Sequence, residues 1–202
     1  MKNQAGKICG WTFAVAFLAS LAAAQAPAAL NAPTAPAVTN PHYASIALEI
    51  TVDRPAAEVW KRVGKFCDIS ESFQLPCKII SGNDGEVGAV RFLGSNIGNE
   101  ILVGKTELSY TYTQPVKPGQ PYDLYHGTVE ARPMTASTSK VLYTLVYDNS
   151  MLPDEAAREK DKAQRIALFT PGLRNMKSLA ETGNCRWLHL AEAKETFGLT
   201  EP

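Results

Sequence analysis

Neither sign of charge dominates this sequence, since 20 Lys and Arg stand against 20 Asp and Glu in 202 residues. The balance leaves no basic excess to hold a nucleic-acid backbone and no acidic run to draw a basic partner. Histidine is scarce. His42, His126 and His189 lie too far apart in sequence to have metal-ligand spacing, so no metal is expected. The chain has no nucleophile elbow, no phosphate-cradling glycine loop and no His-x-x-x-His, and no cofactor follows from its residues. With 14 Gly and 13 Pro it is neither collagen-like nor of low complexity. What remains is a soluble globular domain with a substantial core.

The one long apolar run is N-terminal. Lys2 and Lys7 introduce Ile8–Ala24, which closes on Ala22-Ala23-Ala24, the small-residue pattern that a signal peptidase reads. We read residues 1–24 as a signal peptide and the mature chain as periplasmic or secreted, with no stable membrane insertion after cleavage. The alternative is an uncleaved anchor, because the run nearly reaches bilayer-spanning length. Cleavage removes Lys2 and Lys7 and no acid, leaving 18 basic against 20 acidic side chains. Residues 25–41 hold four prolines and no charge and read as a Pro/Ala-rich linker.

Export changes the reading of the cysteines. Cys9 leaves with the signal, and Cys67 and Cys77, ten positions apart, are the natural pair in an oxidising compartment. Cys185 is left over, whether buried, free or pairing between chains.

From Ile46 to Val52 apolar and polar residues alternate, the mark of a strand with one buried face. At Asp53-Arg54-Pro55 the period changes. Asp53 can cap, Pro55 suits a first turn, and Val59, Trp60, Val63 and Phe66 follow with helical spacing. A second helical piece covers Asp68 to Phe73. Six strand-like runs follow, at Lys78–Ser81, Val87–Leu93, Glu100–Lys105, Ser109–Thr113, Leu124–Arg132 and Lys140–Asp148, separated by turn formers. The last long element is helical. It opens on acids at Pro153-Asp154-Glu155, passes a charged stretch read as a solvated face, and ends at Gly183. Ile166, Phe169, Leu173, Met176 and Ala180 give it an apolar stripe, and Pro171, off that stripe, predicts a kink. The domain is expected over 42–183, followed by a tail over 184–202 with a short helix around Leu190–Phe197.

This order, together with "ITVDRPAAEVWKRVGKFCDIS", "GEVGAVRFL" and "RNMKSLAETG", resembles the SRPBCC superfamily of START, polyketide cyclase/dehydrase and Bet v 1-like proteins, here as a secreted bacterial member. The resemblance covers about residues 43–183. Phe73 stands where the family commonly has tryptophan. The resemblance implies an α+β helix-grip fold: a curved, antiparallel, seven-stranded sheet (β-α-α-β6-α) wrapped around a long C-terminal helix. It also implies an apolar cavity between sheet and helix that takes lipid-, polyketide- or aromatic-like molecules. Some members are cyclases or hydratases, many simply bind, and others act as partners of proteins.

Strand parity nominates the lining. Tyr110 and Tyr112 share a face with Leu108, and Tyr125 shares one with Gly127 and Val129, leaving His126 outward. In the last strand the family pattern turns Tyr143 and Tyr147 inward. A tyrosine-lined interior suits a ligand that is apolar with a few oxygens, while the alternative is a filled core of phenols bonding one another. Phe169 and Leu173 would face it from the helix. The family usually turns an arginine and a glutamate inward at Arg91 and Glu100. A turn at 95–98 would set Glu100 opposite Leu93 and diagonal to Arg91. The pair reads either as a polar anchor for a ligand carbonyl or carboxylate, or as a rim salt bridge. The ligand-binding candidates are therefore Arg91, Glu100, Tyr110, Tyr112, Tyr125, Tyr143, Phe169 and Leu173. The expected function is binding of a small hydrophobic molecule. One alternative is a cyclase/dehydrase-like enzyme with Glu100 as general base, and another is a protein-interaction module built on the tail and the long helix.

Overall fold

The computed structural model describes residues 40–185. The expected signal peptide, nearly all of the linker, and the tail beyond Cys185 with its expected helix lie outside the described residues. Among the described residues no helix is long and apolar enough to cross a membrane.

The alternation seen from Ile46 extends over β1 (Tyr43–Val52). Two short helices follow, α1 (Ala56–Val63) and α2 (Ile69–Phe73). The strands are β2 (Lys78–Ser81), β3 (Val90–Phe92), β4 (Asn99–Lys105), β5 (Ser109–Thr113), β6 (Asp123–Pro133) and β7 (Ser139–Asp148). The chain then closes with α3 (Glu155–Thr182). The seven strands form one antiparallel sheet in the order β1-β7-β6-β5-β4-β3-β2. Consecutive strands joined by short turns pair with their neighbours. Only β1 crosses over to β7, carried by the two-helix excursion.

The inward face of the sheet carries the alternating buried residues of β5, β6 and β7, namely Tyr110, Tyr112, Tyr125, Val129, Tyr143, Leu145 and Tyr147. Phe169, Leu173, Met176 and Leu179 of α3 are buried with them. Asp154 caps α3 by accepting the Ala157 N–H at 2.8 Å. The far end of the helix is clamped to β1, because the Asp53 N–H donates to Glu181 Oε1 at 2.8 Å and Lys177 Nζ donates to the Thr51 carbonyl at 2.7 Å. Asp53 is therefore not the cap of α1. Pro55 occupies that position with no side-chain bond, and Asp53 serves the clamp instead.

Three further expectations are corrected. The β3–β4 turn falls one residue earlier than expected, with the Leu93 N–H donating to the Gly98 carbonyl at 3.0 Å. Arg91 then pairs directly with Glu100 rather than lying diagonal to it. The run Val87–Leu93 is regular strand only over Val90–Phe92, since Gly88 and Ala89 bond Leu102 along an irregular path. The α3 stripe is also displaced at its start. Ile166 is exposed, and the buried face runs instead through Phe169, Gly172, Leu173, Met176 and Leu179. The helix continues through Pro171.

Cys67 and Cys77 are joined by a disulfide with Cα atoms 5.6 Å apart, and Cys185 is a free thiol. The bridge staples α2, with Phe73 at its end, beside the start of β2. Replacing both cysteines with serine should lower the unfolding free energy by about 3 kcal/mol, the chain-entropy value for so short a loop. Urea denaturation of the two forms checks it.

Candidate functional site

Sheet and α3 do not close completely. A cavity of about 580 Å³ lies between them, and aromatic and aliphatic side chains make up most of its wall. At its floor Phe73 packs edge to face on Tyr143 and Phe169, which are tilted against each other, with ring centroids 4.9–5.9 Å apart. The Tyr112 and Tyr143 hydroxyls bond each other at 2.8 Å, so two phenols are satisfied without closing the space. The mouth is framed by the β3–β4 turn at Asn96 and Ile97 and by the loop 117–121.

Burial pushes the Tyr112 and Tyr143 hydroxyls well above the ordinary phenol range, and neighbouring phenols add to the shift. Tyr125 is raised by the same cause, with Glu100 contributing. All three are neutral hydrogen-bonding groups at physiological pH.

Space for the Tyr112 ring comes from Gly127 on the neighbouring strand. Tyr112 pairs with Gly127 in register, and a Cβ at 127 would collide with the ring. Gly127→Ala should therefore swing Tyr112 off Tyr143 and destabilise the fold by about 1–3 kcal/mol. Thermal unfolding measures the cost, and an unchanged melting temperature would count against this packing.

Two charged clusters reach the cavity, one through Glu100 and the other through Asp161 and Arg165. On the sheet side, the Arg91 guanidinium is wholly buried and donates to Glu100 Oε2 from Nε at 2.8 Å and from a terminal nitrogen at 2.5 Å. Its other terminal nitrogen donates to the Phe66 carbonyl, and it stacks 4.0 Å from the Phe66 ring centroid. Burial opposes the Arg91 charge, but Glu100 and the surrounding phenols outweigh it, so its pKa is raised. The other oxygen of Glu100 accepts from Gln114 Nε2 at 2.8 Å, and Gln114 in turn accepts from the Tyr122 hydroxyl at 2.8 Å. On the helix side, Asp161 Oδ2 accepts from the Tyr147 hydroxyl at 2.7 Å and from Arg165 Nε at 3.1 Å.

No protein-family model matches the chain, nor does any curated protein. Solved structures do. A Thermobifida fusca protein is 23% identical with a TM-score of 0.56, over 72% of this chain and 99% of its own. A Nitrosospira multiformis protein is 24% identical with a TM-score of 0.51, over 67% and 97%. A Thalictrum flavum norcoclaurine synthase in complex with a transition-state analogue is 13% identical with a TM-score of 0.54, over 71% and 97%. The fold is the helix-grip fold. At these identities the likeness carries the architecture, in keeping with the SRPBCC resemblance of the sequence, and the site has to be argued from its own residues.

Of the residues nominated from sequence, Glu100, Tyr112, Tyr125, Tyr143 and Phe169 line the cavity of this helix-grip fold. Arg91, Tyr110 and Leu173 do not. Arg91 lies behind the wall, held there by direct pairing with Glu100. Tyr110 sits toward α1, its ring 5.7 Å from that of Trp60 and 5.5 Å from that of Phe66. Leu173 lies one helical turn beyond Phe169, in the packed core. Sequence reasoning missed Phe73, Gln114, Tyr122, Asp161, Arg165 and Leu168, all of which contribute to the lining. The α3 members had a signal. Asp161, Gln164, Arg165, Leu168 and Phe169 recur at helical spacing, but a search for an apolar stripe passes over polar residues on the same face.

Proposed function

We propose that the protein is exported and, in the periplasm or outside the cell, binds a small, largely apolar molecule between its sheet and α3. The observation that carries this reading is the open volume of about 580 Å³ above an aromatic floor, bordered by a few oriented polar groups. Space of this size falls in the range of small-molecule sites. A fold that needed only stability would have packed it, because empty apolar volume is costly. The Cys67–Cys77 disulfide fits an oxidising compartment. The norcoclaurine synthase of the same fold was solved with a bound transition-state analogue, which fits a ligand-holding use of this architecture.

Acid–base catalysis by Glu100 has less support. Its two oxygens accept from Arg91 and Gln114, so the carboxylate is held as the partner of a buried ion pair.

Native mass spectrometry of protein exported to its own periplasm and purified without detergent tests the binding reading. A discrete added mass is expected. It should disappear in Leu168→Trp, which fills the cavity from the helix side. An added mass that persists unchanged in Leu168→Trp would place the ligand elsewhere and overturn the reading.

A further inference from the structure

The helix wall of the cavity carries an arginine whose hydrogen-bonding capacity the fold leaves largely unused. The Arg165 side chain is only 13% exposed, and its guanidinium lies 4.2 Å from the Tyr147 ring centroid and 4.4 Å from that of Tyr122. The two rings stand at 79° to each other with centroids 6.3 Å apart, so they flank the guanidinium on two adjacent sides and do not sandwich it. Nε donates to Asp161, while among the described residues the two terminal nitrogens have no hydrogen-bond partner. Arg165 lines the cavity. Arg91 is also buried against aromatic rings, but Glu100 and the Phe66 carbonyl occupy its donors.

An arginine held in this way is oriented before any ligand arrives. Burial disfavours its charge, but Tyr125, Asp161 and Tyr147 more than compensate, so it stays protonated. Its two unbonded terminal nitrogens carry parallel N–H donors, the geometry that matches the two oxygens of a carboxylate or a similar planar or tetrahedral acid. The surrounding charges permit an anion there. Asp161 is shared with the Tyr147 hydroxyl, Glu100 across the cavity is neutralised by Arg91, and Lys117 adds a positive charge at the mouth.

We propose that the cavity selects apolar or aromatic acids, with the acidic group on the terminal nitrogens of Arg165 and the apolar body over Phe73, Tyr143 and Phe169. The proposal rests on the reading that the cavity holds a small apolar molecule, and it names the chemical class.

Two dyes that share one aromatic frame test it on the full chain. Phenylnaphthylamine is neutral, and anilinonaphthalene sulfonate adds one acidic group to the same rings. The acidic dye should bind roughly tenfold more tightly and should displace the neutral one, as expected for a charge-assisted bond in a partly buried site. Arg165→Met should erase the preference and leave the neutral affinity in place. Arg165→Lys, which keeps the charge but loses the fork, should reduce the preference, and it decides the matter if melting curves show that Arg165→Met does not fold. Arg174→Gln, at an exposed arginine of the same helix outside the cavity lining, should change neither affinity. Neutral-dye binding with no preference for the acid, or a preference that survives in Arg165→Met, overturns this proposal alone. Failure of both dyes to bind overturns the cavity reading and this proposal with it.

Discussion

Replacing Glu100 with glutamine is expected to destabilise the folded protein by about 3–5 kcal/mol, the range for removing one member of a buried ion pair. Arg91 is wholly buried, and among the described residues its only anionic partner is Glu100. Glutamine keeps an acceptor but leaves the guanidinium uncompensated where water cannot reach it. The double substitution Arg91→Met with Glu100→Leu removes both charges and should recover most of the loss, because the pair has already given up its hydration in the native state. Urea denaturation of Arg91→Met, of Glu100→Leu and of the double variant forms a cycle that isolates the coupling. A cost below about 1 kcal/mol in Glu100→Gln would mean that the pair is screened by water. Ligand affinity in Arg91→Ala should fall only as stability falls, since Arg91 is behind the cavity wall rather than in it.

The second large effect is alkaline unfolding. Burial raises the hydroxyls of Tyr110, Tyr112, Tyr125 and Tyr143 above the ordinary phenol value, and all four are almost wholly buried. In the unfolded chain they lose their protons near pH 10, roughly the model phenol pKa. The folded state therefore binds more protons than the unfolded state above that pH. The stabilisation is fully present below about pH 10 and is lost as pH rises toward the raised folded values. Each phenol approaches a slope of about 1.4 kcal/mol per pH unit, so four together remove about 5 kcal/mol over one unit. Against an ordinary domain stability of about 5–15 kcal/mol, that suffices for cooperative unfolding. Tyrosinate absorbance and circular dichroism should change together in one sharp transition. Gradual ionisation with the fold intact would show that the phenols have access to solvent.

Legibility in the sequence followed the periodicity of the elements. Alternation in Ser109–Thr113 and Leu124–Arg132 turned Tyr110, Tyr112 and Tyr125 inward without any tertiary knowledge, because a strand has only two faces. Tyr122 escaped the same reasoning. It precedes β6 in a turn segment, where no period assigns a face, yet its hydroxyl bonds Gln114 and its ring stacks on Arg165. On α3 the difficulty was phase. The charged stretch up to Lys162 read as solvated, whereas Asp161 and then Arg165 turn into the cavity. An apolar stripe locates a helix face only where that face meets hydrocarbon, and here its first turns meet a polar mouth.

The order of elements, the inward tyrosines of β5 and β6 and the pairing of Cys67 with Cys77 were determined by the sequence alone, because alternation, helical spacing and short loops are local properties of a chain. Only the tertiary structure decided that the phenols leave a space instead of filling it, that Arg91 lies behind that space, and that Arg165 faces into it. These depend on a turn register shifted by a single residue, on the missing side chain of Gly127 and on the rotation of a helix about its axis. None of the three leaves a period in the sequence, and each is settled by how far a side chain reaches once distant segments meet.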